Sequence, residues 1–281
     1  MGAMHLSVMQ HIFHPTDLSP ASATAFLHAL RLATAAHTRL TLMHVNEADE
    51  LSAATLPQVR TKLAEWGLIR GAHDMDGLMA LGLGVKKVLA EGEDPVVACL
   101  EYLDRHPADL IVLATHQHNG RTAWLHKRVA EPLARGSATP TLFVPHDRPG
   151  FVDPATGAVR LRRILVPVTR DPDPQRAVEL AVRLAQQLGY ASVHITLLHV
   201  GEQGSAPRPE LPPAPGIHLE NMVVSGDVER MILQVASHTN ADLIVMATKG
   251  HEGFLDALRG NTTERVLRQA ECPVLAVAEK G

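Results

Sequence analysis

The sequence predicts an α/β fold that is present twice, as two tandem, doubly wound, parallel sheets of five strands each. Three observations indicate it. The 281 residues amount to about two ordinary domains. In each half, short apolar runs alternate with helical patterns, as in a parallel sheet with right-handed crossovers. Finally, segment 109–144 aligns without a gap on segment 242–277, with 14 identical residues among the 36.

The first half, predicted as a domain over 1–148, contains five apolar runs bounded by turn residues. These runs predict strands near 9–14, 39–45, 85–90, 109–115 and 140–144. The intervening segments have apolar residues at helical spacing, which predicts helices near 20–36, 54–70, 95–106 and 126–137.

The second half, predicted as a domain over 160–281, repeats this order with one difference. Strands are predicted near 162–168, 192–200, 219–224, 241–247 and 273–277, and helices near 173–188, 228–239 and 261–270. Equivalent residues of the two copies are 155 positions apart at His44 and His199 but 133 positions apart at Asp109 and Asp242. The second copy therefore lacks 22 residues between these two points, which is the length of one helix with its loops. A Pro-rich stretch at 204–216 replaces them, and residues 146–160 form the predicted linker.

Composition excludes several functions. Residues 1–148 hold 13 Lys and Arg against 15 Asp and Glu, and residues 149–281 hold the same numbers, so neither half has the basic surface that nucleic acid requires. Aromatic residues are 3% of the chain, too few for a base-stacking platform. No apolar run is long enough for a membrane helix. Cys99 and Cys272 lie in apolar runs and are expected as reduced core thiols, which favours a cytoplasmic location.

The end of the fourth strand and the start of the last helix of the second half predict a phosphate site. Ligands of open parallel sheets bind beyond the carboxyl ends of the strands. Glycines and a helix N-terminus there offer free backbone N–H groups to an anion, and nearby side chains add donors and a charge. The residues concerned are Ala247, Lys249, Gly250, Gly260, Asn261, Thr262 and Thr263. The alternative is purely structural, because Asn261 and Glu264 also form a capping box and the glycines also permit turns.

These features resemble the universal stress protein family (UspA-like). The resemblance rests on the tandem βα repeats, on Leu198-His199-Val200, on the strand ADLIVMAT at 241–248, and on the segment from Gly250 to Gly260-Asn261-Thr262-Thr263-Glu264 before Cys272-Pro273-Val274. It covers both halves and implies a Rossmann-like sheet of the adenine nucleotide α-hydrolase type with strand order 3-2-1-4-5. Family members pair about a two-fold axis, so a tandem chain is expected to form that pair internally, with a homodimer of the whole chain as a further expectation.

The resemblance also implies a ligand. One branch of the family binds ATP through a G-x2-G-x9-G-(S/T) signature, whose four positions fall on Ala247, Gly250, Gly260 and Asn261. Gly250 and Gly260 match the signature, whereas Ala247 and Asn261 depart from it. The positions that line the adenine pocket fall on Pro167, Val168 and Val200, and the family's Asp at the end of strand one falls on Thr169, which lowers the expected affinity. ATP or another adenine nucleotide, with or without Mg²⁺, is therefore expected in the second half.

The first half departs further from the signature. Ala114, Gln117, Lys127 and Arg128 stand at its four positions, so long side chains occupy places where a phosphate needs bare backbone. Asp17 is retained at the end of strand one. The first half is therefore predicted to have lost phosphate binding.

Histidines lie at the equivalent strand ends of the first half, which holds 12 of the 17 histidines in the chain. His14 ends strand one, Asp17 follows it, and His116 and His118 follow strand four, which the family fold places next to strand one. Imidazoles and a carboxylate suit zinc or a similar metal. The alternative is a polar, water-filled cleft.

Three functions follow as hypotheses. The first is a cytoplasmic, nucleotide-binding protein that acts as a regulatory or protective module in a stress response. The second is a metal-binding or metal-sensing protein that uses His14, Asp17, His116 and His118. The third is a protein whose pockets bind nothing and whose surface binds a partner. No nucleophile with its base is evident, so at most a slow hydrolysis of ATP is expected.

Overall fold

The computed structural model describes residues 9–46, 52–115, 123–146, 148, 150–188, 192–211, 214–249 and 262–279. The elements of the first half, in chain order, are β1 (His11–Pro15), α1 (Pro20–Ala35), β2 (Arg39–Asn46), α2 (Val59–Glu65), α3 (Met75–Ala80), β3 (Gly84–Glu91), α4 (Pro95–Arg105), β4 (Leu110–Thr115), α5 (Ala123–Ser137) and β5 (Thr141–Pro145). Those of the second half are β6 (Arg163–Pro167), α6 (Gln175–Gln187), β7 (Val193–Val200), β8 (Ile217–Val224), α7 (Val228–His238), β9 (Leu243–Thr248), α8 (Thr262–Gln269) and β10 (Val274–Ala278).

Side-chain caps set the starts of several helices. Ser19 accepts a hydrogen bond from the backbone N–H of Ser22 at the start of α1, and proline occupies the first helical position. Asp94 accepts from two N–H groups at the start of α4, and Asp227 accepts from Arg230 N at the start of α7. These caps fix where the chain turns from the carboxyl end of a strand into a helix, which is the edge of the sheet that holds the cavities described below.

The ten strands of the described residues form one sheet, in the order β3-β2-β1-β4-β5-β10-β9-β6-β7-β8. Each half has the strand order 3-2-1-4-5, with parallel pairing throughout, which confirms the predicted fold class. The halves meet through β5 and β10, which pair antiparallel with Leu142 opposite Leu275. Equivalent strands of the two halves therefore follow one another in the same order from either edge of the sheet, as expected for two copies related by an internal two-fold axis.

Two layers of aliphatic side chains cover the faces of this sheet. On one face, α1 and α6 pack on residues such as Ile12, Leu142 and Leu275, and this cluster runs continuously from one half into the other. On the other face, Phe13, Leu165 and Ile244 lie in a second cluster with residues of α4, α5, α7 and α8. Because the central strands are buried on both faces, their sequences are continuous apolar runs, which is why they could be predicted.

The connection between the second and third strands of each half differs in detail from the prediction. The first half has two short helices, α2 and α3, instead of one helix over 54–70, because a turn follows Trp66 and Asp74 caps a new helix. In the second half, the described residues 201–211 and 214–216 contain no helix. The segment that was predicted to be missing from the second copy thus corresponds to the two short helices α2 and α3 of the first copy.

The predicted linker is packed against the first half. Phe151 and Val152 are buried, and Val152 bridges to Val159 across a short hairpin. The backbone N–H of Phe151 donates to Nε2 of His28, and the indole N–H of Trp66 donates to the carbonyl of Pro154. The division into domains at 148 and 160 stays a prediction, since one sheet and one apolar cluster span both halves.

A substitution of Gly150 tests this packing. Gly150 has a φ of +63°, and a Cβ there would lie 2.4 Å from Nε2 of His28. We expect Gly150→Ala to lower the free energy of unfolding by about 1–3 kcal/mol, measured by urea denaturation. The matched control is Gly67→Ala, because Gly67 has a φ of +68° but nothing within 4 Å of the added Cβ. Equal losses in the two variants would contradict the close approach of the linker to His28.

Within the described part of the chain, no helix combines the length and the hydropathy needed to cross a membrane.

Candidate functional site

A cavity of about 670 Å³ opens at the carboxyl ends of β6, β7 and β9 in the second half. The segment after β6 and the first residues of α7 and α8 complete its walls. Parallel strands end at the same edge of the sheet, so residues that are far apart in sequence meet here. Its volume lies in the range of about 300–1,000 Å³ that small-molecule sites occupy.

One wall of this cavity is apolar. Pro167 ends β6, Val200 ends β7 and Met246 lies in β9, while Val228 and Ile232 come from the first turns of α7. Ile232 and Met246 are buried in the core, whereas Val228 is 44% exposed beside the opening. A flat aromatic ring placed between the strand ends and α7 would remove this apolar surface from water.

Other residues that line the cavity are polar. Thr248 ends β9, Lys249 follows it, and Thr262 and Thr263 open α8. The hydroxyl of Thr248 is buried and has no hydrogen-bond partner among the described residues. A buried hydroxyl without a partner carries a desolvation cost of about 1–3 kcal/mol, which a ligand acceptor or donor would relieve. The N-terminus of α8 adds the positive end of its helix dipole.

Two opposite charges lie at the opening of the cavity. Nζ of Lys249 is 2.6 Å from Oδ2 of Asp171, and this carboxylate raises the pKa of Lys249. Lys249 therefore stays cationic at neutral pH. Both side chains are largely exposed, so the pair adds little to stability, and an anionic ligand can compete with Asp171 for Lys249.

His199 holds the strand ends in place. Its Nδ1 donates to the carbonyl of Val168 at 3.0 Å, and its Nε2 is hydrogen-bonded to the hydroxyl of Ser205 at 2.7 Å. In the first half, Nδ1 of His44 donates in the same way to the carbonyl of Thr16 at 2.7 Å. These paired histidines thus tie the end of the second strand to the end of the first strand in each copy.

Eight of the predicted nucleotide-site residues line this cavity: Pro167, Val168, Thr169, Val200, Ala247, Lys249, Thr262 and Thr263. The other three, Gly250, Gly260 and Asn261, lie outside the described residues. Sequence reasoning missed several lining residues, namely Pro172, Leu198, Val228, Ile232, Met246 and Thr248. A helix was predicted near 228–239, but no sequence signal shows that the start of this helix lies over the cavity. The carboxylate of Asp227 caps the helix.

The equivalent place in the first half holds a smaller cavity of about 130 Å³. Asp17, Ser19 and His44 line its polar side, and Met43 and Cys99 line its apolar side. Burial raises the pKa of the Cys99 thiol to about 12, so this thiol is neutral and a poor nucleophile. The cavity is below the usual volume of a small-molecule site, and the loss of phosphate binding in the first half stays a prediction.

His14 is not among the residues that line the first-half cavity. It is fully buried on the α1 side of the sheet, 6.2 Å from the ring of Phe26, and its Nδ1 donates to the carbonyl of Val112 at 2.8 Å. Burial lowers the pKa of His14 to about 4, although the charge of Asp17 opposes this shift. His116 and His118 lie outside the described residues, and within those residues no group of three or more His, Cys, Asp or Glu could hold a metal. The metal site at His14, Asp17, His116 and His118 stays a prediction.

Comparison with known proteins gives the same family in both halves. The model of the universal stress protein family matches residues 9–145 and 208–278. The universal stress protein E homolog of Haemophilus influenzae is 28% identical over 212 residues, which are 63% of this chain and 64% of that protein. The universal stress protein A homolog 1 of Coxiella burnetii is 46% identical over 54 residues, 19% of this chain and 37% of that protein. The chain thus spans between one third and two thirds of the length of these curated relatives.

A solved structure shows the same fold over nearly the whole chain. A universal stress protein from Archaeoglobus fulgidus superimposes with a TM-score of 0.64 at 21% identity, over 96% of this chain and 98% of that chain. Similarity of this kind supports the two-copy architecture.

Proposed function

Because the chain belongs to the universal stress protein family, we propose that it binds an adenine nucleotide, with ATP as the expected ligand, in the cavity of its second half. The observation that carries the proposal is that eight residues selected from the sequence line one cavity of about 670 Å³ with apolar and polar lining residues. A nucleotide has the same division, a flat base at one end and phosphates at the other.

The residues present fit such a ligand. The apolar strand ends and α7 would hold the base, since Val200, Val228 and Ile232 offer no competing charge there. The buried, unpartnered hydroxyl of Thr248 would gain a hydrogen bond, and Lys249 and the start of α8 would face the phosphates. When a phosphate binds Lys249, it displaces the carboxylate of Asp171 from this amine.

Binding rather than turnover is the proposed activity. Among the described residues that line the cavity, Asp171 is the single carboxylate, and it is paired with Lys249. Mg²⁺ bound to the phosphates would find that one acidic side chain. Slow hydrolysis of bound ATP would need a water activated by the ligand itself, because the described lining residues offer no neutral histidine or second acid as a base.

We further propose that the nucleotide makes the protein a regulatory or protective module of a stress response in the cytoplasm. The family supports the stress role, and the two cysteines, both free thiols, fit a reducing compartment. The internal pairing of β5 with β10 uses the edge through which two single-copy chains could pair, so the tandem chain has that partner built in.

Analysis of the bound nucleotide tests the proposal. Freshly purified protein is denatured, and the released small molecules are separated by chromatography and identified by mass. We expect an adenine nucleotide, or else a rise of the melting temperature on addition of ATP to nucleotide-free protein, because a ligand that binds the folded state stabilises it by mass action. Protein that releases no nucleotide and shows no thermal shift with ATP, ADP or AMP would contradict the proposal.

A further inference from the structure

The second and third strands of the second half, β7 and β8, carry a pair of histidines on one face of the sheet, far from the carboxyl ends that form the second-half cavity. His194 near the start of β7 and His218 near the start of β8 are register partners of the two parallel strands. Their rings are stacked, with centroids 4.9 Å apart and an angle of 23° between the planes. Both side chains are exposed.

The ring nitrogens of this pair are available. Neither ring forms a hydrogen bond with any described residue, whereas the other strand histidines use theirs in the fold: His11 is bonded to Pro107 and Thr41, and His199 to Val168 and Ser205. The ring nitrogens of His194 and His218 are therefore accessible to a ligand from solvent. Nothing in the fold requires two exposed imidazoles in register at this place.

From this juxtaposition we infer that His194 and His218 form a binding site for one borderline divalent transition-metal ion, such as Zn²⁺, Ni²⁺ or Cu²⁺. Neighbouring strands lie about 4.8 Å apart, and metal–imidazole bonds are about 2.0–2.1 Å, so small rotations of the two rings bring one nitrogen of each onto a common ion. Imidazole ligands select these metals over Mg²⁺ and Ca²⁺, which require oxygen ligands.

The site supplies two protein ligands. Within the described residues, no group of three His, Cys, Asp or Glu is close enough to hold a metal, so the remaining coordination positions are open to water or to another ligand. The adjoining cavity, of about 640 Å³, is lined by Glu220 as well as by Arg162 and Arg163. Glu220 favours a cation, whereas the charges of Arg162 and Arg163 oppose it, and Nε of Arg163 donates a hydrogen bond to the carbonyl of Asn240.

The first half provides an internal comparison. The positions equivalent to His194 and His218 are Arg39 and Gly84, which are register partners in β2 and β3. The pair is therefore specific to the second copy, and the sheet itself forms equally well without it.

Copper binding to the full chain, without an affinity tag, tests this inference independently of the nucleotide. Cu²⁺ is the probe because it binds nitrogen ligands most tightly in the divalent series and because its electron paramagnetic resonance spectrum reports the coordinating nitrogens. Wild-type protein is expected to bind one ion most tightly, with two nitrogen ligands. His194→Gln and His218→Gln should each weaken this ion by at least about tenfold, since the second ligand acts at high effective concentration.

Two controls complete the experiment. His238→Gln removes an exposed histidine of α7 and should leave the affinity for the tightly bound Cu²⁺ ion unchanged. The double variant His116→Gln/His118→Gln should leave this affinity unchanged as well. Circular dichroism establishes that the variants are folded. The inference is overturned if His194→Gln and His218→Gln retain the wild-type affinity, or if the tight ion is lost only in the His116/His118 variant.

Discussion

The free energy of unfolding is expected to fall by about 4 kcal/mol between pH 7.5 and pH 5, because two fully buried histidines cannot accept a proton in the folded state. Burial lowers the pKa of both His14 and His28 to about 4. The Nε2 atom of His28 accepts a hydrogen bond from Phe151 N, and a protonated ring could not accept it. The Nε2 atom of His14 is buried without a partner among the described residues.

The sign follows from the difference between the two states. Above the unfolded pKa of 6.5, both rings are neutral in both states and contribute no dependence on pH. As the pH falls from 6.5 towards 4, the unfolded chain takes up protons that the folded chain excludes, so stability is lost by about 1.4 kcal/mol per pH unit for each histidine. His11 acts in the same direction, because burial lowers its pKa too.

Urea denaturation at half-unit intervals between pH 5 and pH 7.5 measures this loss. The window lies above the range in which Asp74 and Asp153, whose pKa values are lowered by hydrogen bonds, lose their contribution. His14→Leu removes one of the two groups and should reduce the slope by about half, while it also removes the unpaired buried nitrogen. A His14→Leu variant with the wild-type slope would show that His14 is accessible to protons in the folded chain.

Affinity for ATP is expected to fall about a hundredfold or more in Ala247→Leu, a change of at least about 2.7 kcal/mol. Ala247 lies near the end of β9 and lines the second-half cavity. Three added carbon atoms would occupy space that the ligand needs. Isothermal titration with ATP measures the effect.

The chain contains its own control for this substitution. Ala114 is the counterpart of Ala247 and lines the first-half cavity. Ala114→Leu is expected to leave the affinity for ATP unchanged, because that cavity is about 130 Å³ and the proposed nucleotide lies in the other half. If Ala114→Leu lowers the affinity and Ala247→Leu does not, the ligand has been assigned to the wrong copy. Unchanged affinity in both variants would show that ATP binds elsewhere.

Much of the fold could be predicted because the duplication gives most of the elements twice. The strands β4 and β9 have almost the same sequence, LIVLAT and LIVMAT, and the structure ends both where the prediction ended them, to within one residue. A strand buried on both faces must be apolar along its length, so the sequence marks it directly. The sequence predicted one helix where the structure has the two short helices α2 and α3, since the choice between one helix and two depends on a turn after Trp66 and a local cap at Asp74.

The candidate site was predicted in part for a similar reason. Residues at strand ends, such as Pro167, Val200 and Ala247, could be placed because strand ends of a parallel sheet converge. Val228 and Ile232 were missed, because a helix start reaches the cavity only through the angle at which its crossover packs on the sheet. The same holds for the pair His194 and His218, which is 24 residues apart in sequence and becomes a neighbouring pair only through strand register.

By itself, the sequence determined that this protein is one α/β unit duplicated, that the second copy lost the helical connection before its third strand, and which copy has Gly250 and Gly260 at the predicted phosphate site. These properties depend on local patterns and on the comparison of one half with the other. The tertiary structure alone decided that β5 and β10 join both copies into one sheet, that the two cavities differ about fivefold in volume, and that His14 is buried against Phe26. The physical reason is that burial, cavity volume and ring contacts arise from side chains distant in sequence, which the packed sheet brings together.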